Sequence, residues 1–225
     1  MIYPGCLALI LICSLLLLMP FFFVHAMLAA LAKLGLSPPL AFVILIGIVI
    51  GSSVNIPIRR FPRNEEISVD PFMMFGFSRL FSLRPQVRRY VILAVNLGGC
   101  VIPAALAIYE CVLVAQRGVA AVMVLLIVTL TTIFVCFRMA RPIPGIGITM
   151  PALIPPLIAA SLSLLLIPDF APPVAFAAGV LGPLLGADLL HLKEVVKMAP
   201  AIASIGGAGT FDGIVLSGLV ATLLA

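Results

Sequence analysis

Gly118-Val-Ala-Ala-Val-Met-Val-Leu-Leu-Ile-Val-Thr-Leu-Thr-Thr-Ile-Phe-Val-Cys-Phe137 contains no charged residue. A helix of about 20 residues rises roughly 30 Å, the thickness of a bilayer's hydrocarbon core. The stretch has none of the apolar–polar alternation that a transmembrane β-strand requires, so it reads as a membrane-spanning helix.

The rest of the chain has the same character. Hydrophobic residues make up 64% of it and charged residues 9%, and mean hydropathy is +1.34. A soluble domain carries about 25% charged residues, so a globular core is excluded. The expected fold is all-α, a polytopic transmembrane helical bundle forming a single domain over residues 1–225. Apolar segments near 5–30, 39–58, 90–114, 118–137, 148–167, 172–192 and 201–225 give about seven spans. The first lacks a basic leader and exceeds the roughly 7–15 apolar residues of a signal peptide, so it reads as a helix.

Charge placement orients the bundle. Seven of the thirteen basic residues (Arg59, Arg60, Arg63, Arg79, Arg84, Arg88 and Arg89) fall in one loop. Arg138, Arg141, Lys193 and Lys197 lie on the same side of a seven-span topology, leaving Lys33 and Arg117 opposite. The positive-inside rule then predicts an inner-membrane protein with a cytoplasmic N-terminus and an extracytoplasmic C-terminus. The net charge of +5 is thus a topology signal, with anionic lipid headgroups as a secondary partner and no nucleic acid. The loop at 59–89 mixes these arginines with Phe72, Phe75, Phe77 and Phe81, the pattern of an amphipathic segment in the cytoplasmic interface. Cys6, Cys13, Cys100, Cys111 and Cys136 form no CxxC pair and read as small buried thiols.

Glycine and proline interrupt several spans. Asn55-Ile-Pro57 ends the second, while Gly98-Gly99 and Pro103 weaken the third. Arg141-Pro-Ile-Pro-Gly-Ile-Gly147 with Pro151, Pro155 and Pro156 precedes the fifth, and Gly206-Gly207-Ala-Gly209 breaks the seventh. Non-helical backbone at membrane depth needs protein or water to satisfy its polar groups, so these breaks predict a polar interior.

Two aspartates stand within this texture: Asp188 in Leu181-Gly-Pro-Leu-Leu-Gly-Ala-Asp-Leu-Leu-His-Leu192, and Asp212 in Ser204-Ile-Gly-Gly-Ala-Gly-Thr-Phe-Asp-Gly213. A carboxylate in a bilayer costs about 2.5–3.5 kcal/mol on insertion scales, which makes each a candidate site. Spans six and seven are antiparallel neighbours, and Gly182-xxx-Gly186 and Gly209-xxx-Gly213 offer each a small face for close approach. In a regular hairpin the two carboxylates would be offset by roughly 10 Å along the axis. An unwound Gly206–Gly209 segment would change that offset.

Three chemistries use such residues. Two close carboxylates share one proton, giving an acid and a base for hydrolysis. Alternatively, midplane carboxylates with unwound backbone bind a proton or cation in a small transporter. In that reading Asn96, Arg141, Gly207, Gly209 and Thr210 complete a substrate- or ion-binding set, with Asn55 as a further neutral ligand. The third is structural: Asp188 bonded to Arg138 or Arg141 as interhelical glue. His191 follows Asp188 by one turn but reads as a boundary histidine, and His25 as an interface or solvent residue. No metal, cofactor or nucleotide motif is present; the expected partners are membrane lipids and either transmembrane peptides or small ions.

Gly-Ala-Gly-Thr-Phe-Asp212 loosely resembles the Gly-x-Gly-Asp motif of the presenilin and signal-peptide-peptidase class of intramembrane aspartyl proteases. That class also carries its other aspartate on the preceding helix. The resemblance implies a catalytic Asp188–Asp212 dyad. Here two extra residues separate glycine from aspartate, and no Tyr-Asp precedes Asp188. A second resemblance covers about residue 40 to the C-terminus. Asn55-Ile-Pro57, Ala94-Val-Asn-Leu-Gly-Gly99, Ala140-Arg-Pro-Ile-Pro-Gly-Ile-Gly147, Gly186-Ala-Asp-Leu-Leu190 and Ser204–Gly213 are similar to blocks of a prokaryotic integral-membrane family classed as a domain of unknown function. It implies that Asn96, Arg141, Asp188 and Asp212 belong to the family pattern, and it implies no activity.

Overall fold

A computed structural model of the chain describes residues 4–62, 90–143, 147–198 and 202–225. Most of the expected amphipathic loop, residues 63–89, lies outside the described residues. Helices dominate: α1 (Pro4–Lys33), α2 (Pro38–Gly51), α3 (Ile102–Ala115), α4 (Val119–Met139), α5 (Ile154–Leu166), α6 (Ala171–Leu181), α7 (Leu192–Met198) and α8 (Gly213–Leu224). Four helical stretches are long and apolar enough to cross a membrane: Ile12–Lys33, Leu97–Ala115, Val119–Met139 and Pro168–Leu189. The shorter apolar helices Pro38–Gly51, Ile154–Leu166 and Gly213–Leu224 correspond to the other three apolar segments. The chain is therefore a multi-pass membrane protein with a polytopic helical bundle.

The outer surface agrees. Leu17, Phe21, Val119, Leu130, Phe134 and Leu165 are all large, apolar and exposed on helices. A soluble monomer does not display so much contiguous hydrocarbon, whereas lipid tails cover it at no cost. The interior is built around α6, in which every residue from Pro173 to Val180 is buried. Its alanines and Gly179 let α3, α4, α5 and α8 pack closely around it. Lys33 Nζ donates to Leu223 O at 2.8 Å, tying the end of α1 to the last turn of α8.

Pro20 lies inside α1, whereas the prolines that open helices are placed where they do little harm. Pro38, Pro103, Pro155, Pro156, Pro172 and Pro173 sit at the starts of their helices, where the missing N–H has no intrahelical partner to lose. Pro155 and Pro156, expected at the entry to the fifth span, stand in the first turn of α5.

The bundle also contains strands, which reach into four of the apolar segments read as helices. Strand β1 (Asn55–Pro62) pairs antiparallel with β2 (Tyr90–Asn96), and β2 pairs parallel with β5 (Ile202–Ile205), giving the order β1-β2-β5. The segments at 90–114 and 201–225 therefore each begin as a strand and become helical later. β3 (Arg141–Ile143) and β4 (Gly147–Thr149) form a separate hairpin against α7. In a helix of 12 residues α8 rises about 18 Å, so strand and turn supply the rest of the last segment's reach.

Connectivity places all of this non-helical structure at one end of the bundle. Helices α2, α4 and α6 run toward that end, and α3, α5 and α8 run away from it. The opposite end has only short turns, at residues 34–37, 116–118 and 167–170.

Candidate functional site

Three broken backbones meet where α2 ends, α3 begins and β5 leads into α8. Glycine makes the meeting possible. A Cβ on Gly51 would lie 2.9 Å from Gly98 N, and one on Gly206 would lie 2.7 Å from Gly99 C and 2.8 Å from Cys100 N. A Cβ on Gly209 would lie 2.5 Å from Ser52 Cβ. Gly206 and Gly209 also have φ of +69° and +62°, the left-handed region that glycine enters without steric penalty. The Gly206–Gly209 segment is unwound into a turn, so Asp212 does not lie on a helix continuous from residue 201. Gly209-Thr-Phe211 forms a single 3₁₀ turn before α8.

Asn96 ties the breaks together. It is fully buried at the end of β2, and it caps a π-helical turn (Leu97–Val101) by accepting from Gly99 N at 2.7 Å. Its Nδ2 donates to Ser52 O at 2.8 Å and to Asn55 Oδ1 at 3.2 Å. Asn55 Oδ1 also accepts from Ser204 Oγ at 2.6 Å. Ser52 Oγ donates to Ile48 O at 2.6 Å, so the 2.7 Å contact between the hydroxyls of Ser52 and Thr210 has Thr210 as donor. These side chains fasten α2, β1, β2, β5 and the turn before α8 into one polar knot.

The aspartates flank that knot. Asp212 is the N-cap of α8: its Oδ1 accepts from Ile214 N at 3.0 Å and its Oδ2 from Ala208 N at 3.2 Å. Asp188 lies on a π-helical continuation of α6 (Gly182–Leu189), and its carboxylate is within electrostatic reach of the Gly206 N–H. Asp212 is within electrostatic reach of Asp188, and the Cys100 thiol is within reach of both. Each carboxylate is partly buried. Strand β5 and the glycine turn replace the continuous helix on which the nominal offset of roughly 10 Å rests.

The other predicted residues divide. Asn96, Gly207, Gly209 and Thr210 belong to the knot, with Gly207 on its exposed side. Arg141 does not: it is exposed on β3 and paired in register with Thr149. Among the described residues neither Arg138 nor Arg141 forms an ion pair with Asp188, so the structural-glue reading loses its partner. His191 Nδ1 lies 3.0 Å from Ala187 O and its ring 4.9 Å from that of Phe137, so it packs toward α4. His25 is exposed on α1. No group of three or more His, Cys, Asp or Glu that could hold a metal ion occurs among the described residues.

The small-residue faces are used differently from expectation. A Cβ on Gly186 would lie 2.8 Å from Cys136 Cβ, and one on Gly182 would lie 3.1 Å from Thr132 Cβ. That face of span six therefore packs on α4, not on α8. The close α6–α8 approach falls one turn earlier, where Gly179 meets Ser217 and Gly218. Gly209 rests on Ser52, and Gly213 is near Met150. Spacing announces a close contact without naming the partner.

Sequence reading passed over Ser52 and Ser204, whose hydroxyls had no signal beyond adjacency to predicted breaks. It also passed over Glu110, whose charge within an apolar run was a signal.

Fold and site together define a class: an integral membrane protein whose interrupted helices gather two carboxylates and a neutral polar network at one end. The family model described as "Protein of unknown function (DUF1614)" matches residues 49–224, and the chain belongs to that family. No curated protein and no solved structure matches it. The matched region contains all five sequence blocks quoted above. Four of them converge on the polar knot, and the fifth, Ala140–Gly147, contributes the β3–β4 hairpin.

Proposed function

We propose that the protein is an intramembrane hydrolase in which Asp188 and Asp212 act as a general acid–base pair on a peptide bond. The observation that carries this reading is that the two carboxylates are within electrostatic reach of each other beside the Gly206–Gly209 turn, with Asp212 held by the N–H groups of Ile214 and Ala208. Like charges held close favour a single shared proton. The ionised partner then removes a proton from water as its oxygen attacks the carbonyl carbon, while the protonated partner donates to the carbonyl oxygen. Collapse of the tetrahedral intermediate breaks the C–N bond, and the amine leaves with a proton from the pair. The substrate class is a transmembrane or membrane-inserted peptide, and the site faces the cytoplasmic side if the charge bias sets orientation.

A second reading, a small transporter that binds a proton or cation at the same carboxylates, is favoured by the neutral oxygens of Asn55, Ser52, Ser204 and Thr210 beside them. Purified protein in liposomes separates the two. The hydrolase reading predicts cleavage of a transmembrane reporter peptide, lost in both Asp188→Asn and Asp212→Asn. Ion uptake that disappears in those variants, with no cleavage by the wild type, would select the transporter.

A further inference from the structure

Glu110 is the one charged residue of the α3 helix, and it is fully buried. Neither carboxylate oxygen has a hydrogen-bond partner. It lies about 20 Å along the axis from Leu97, well away from the polar knot. One turn before it, Ala107 belongs to one hydrophobic cluster, and one turn after it Val114 belongs to another. Glu110 therefore sits at the seam between two apolar cores.

The packed surroundings provide no counter-charge. Helices α2, α6 and α8, which all pack on α3, contain no titratable residue between their termini. The α4 helix offers only Cys136 and Arg138, both in its last turn. On α3 itself the neighbours are Tyr109, which is exposed, and Cys111, and beyond its end the Arg117 guanidinium is engaged 4.4 Å above the Phe170 ring. Two further buried hydroxyls without partners, Thr129 on α4 and Ser217 on α8, lie on helices that touch α3. A bare carboxylate cannot persist in such a place: it must be neutralised by a small positive ligand, a proton or a cation.

We propose that Glu110 is a binding site for a small monovalent cation, a proton or Na⁺, inside the membrane bundle and separate from the Asp188–Asp212 pair. The site does not depend on the hydrolase reading. It supplies the membrane interior with one exchangeable charge, which is the minimum that proton- or sodium-linked conformational change requires.

Carbodiimide chemistry reads the site directly. A protonated carboxyl transfers its proton to a carbodiimide nitrogen as its oxygen adds to the central carbon, and acyl migration leaves a stable N-acylurea with no atom lost. Liposome-reconstituted wild-type protein is treated with dicyclohexylcarbodiimide in choline medium and in Na⁺ medium, and the adduct is mapped by mass spectrometry. Infrared spectra of the wild type and Glu110→Gln are recorded in both media. A proton site gives labelling at Glu110 in both media and a protonated-carboxyl C=O band that Glu110→Gln removes. A sodium site gives labelling in choline that Na⁺ suppresses, with the same band replaced by a carboxylate band in Na⁺. An ionised Glu110 in choline medium, with a carboxylate band indifferent to Na⁺, overturns the proposal. The infrared arm decides the matter even if the reagent fails to reach the residue.

Discussion

The Asp212 carboxylate accepts from the Ala208 backbone N–H at 3.2 Å, closing the glycine turn onto the residue that starts α8. That bond exists because the turn is unwound, with Gly206 and Gly209 at φ of +69° and +62°. A helical Gly206–Gly209 segment would commit the Ala208 N–H to the helix ladder and leave Asp212 inside a helix instead of capping one. The placement of Asp212 is therefore a consequence of local unwinding.

Gly206→Ala tests that dependence. The new methyl meets backbone at 2.7–2.8 Å and a left-handed φ, so at least about 1–3 kcal/mol of stability is expected to be lost. Thermal unfolding of detergent-solubilised protein, followed by loss of monodispersity, should show a clear drop relative to Ala208→Gly on the exposed side of the same turn. An unchanged transition would mean the turn is not as tight as described.

Asp212 has a structural task as well as a proposed chemical one, and two substitutions separate them. Asparagine keeps one acceptor oxygen for the cap bond to Ile214 N–H but not the second bond to Ala208 N–H, so Asp212→Asn should fold and melt between the wild type and Asp212→Ala. Asp212→Ala should cost about 0.5–2 kcal/mol through the lost bonds to Ile214 and Ala208. Both should lack hydrolysis. Activity in the asparagine variant would leave Asp212 as a cap alone.

Removing Asn96 should loosen the whole knot. Asn96→Ala leaves the Gly99 N–H and Ser52 carbonyl without their partner in a buried place, and each orphaned group costs about 1–3 kcal/mol. Amide hydrogen exchange should rise at Gly99 and along the facing ends of β1 and β2. If protection at Gly99 persisted, the hub role would be wrong.

Gly186 reports on the α4–α6 contact. Gly186→Leu inserts a side chain where a Cβ alone would already touch Cys136, so overpacking should destabilise by about 1–3 kcal/mol or split the two helices. The substitution should leave the α6–α8 contact at Gly179 intact, as judged by cross-linking between cysteines placed on those two helices. Loss of that cross-link instead would restore the helix pairing that glycine spacing first suggested.

The apolar runs, the two aspartates and the glycine break before Asp212 could be read from residues alone, because bilayer thickness and the cost of buried charge leave few options. The strands could not. Tyr90-Val-Ile-Leu-Ala-Val-Asn96 is as apolar as any helix of this chain, and short apolar runs do not reveal their period. Its Val91, Ile92 and Val95 were the available hint, since β-branched side chains favour extended backbone. Gly98 and Gly99 looked like weak points of a helix, whereas they are seats for the backbones of α2 and of the turn at Gly206. That distinction depends on partners more than 40 residues away, which no local pattern encodes. Glu110 differs again: its cost was visible in the sequence, but only its complete burial without a partner makes it a site.

The most direct test of the central claim compares four proteins in the same liposomes: wild type, Asp188→Asn, Asp212→Asn and the double variant, each assayed for kcat/KM on a transmembrane reporter peptide. Residues that act as one acid–base unit are not additive. Each single substitution should lower kcat/KM by about 100- to 10,000-fold, and the double variant should fall no further. Retention of wild-type cleavage in either single variant, or losses that multiply in the double, would contradict a shared site.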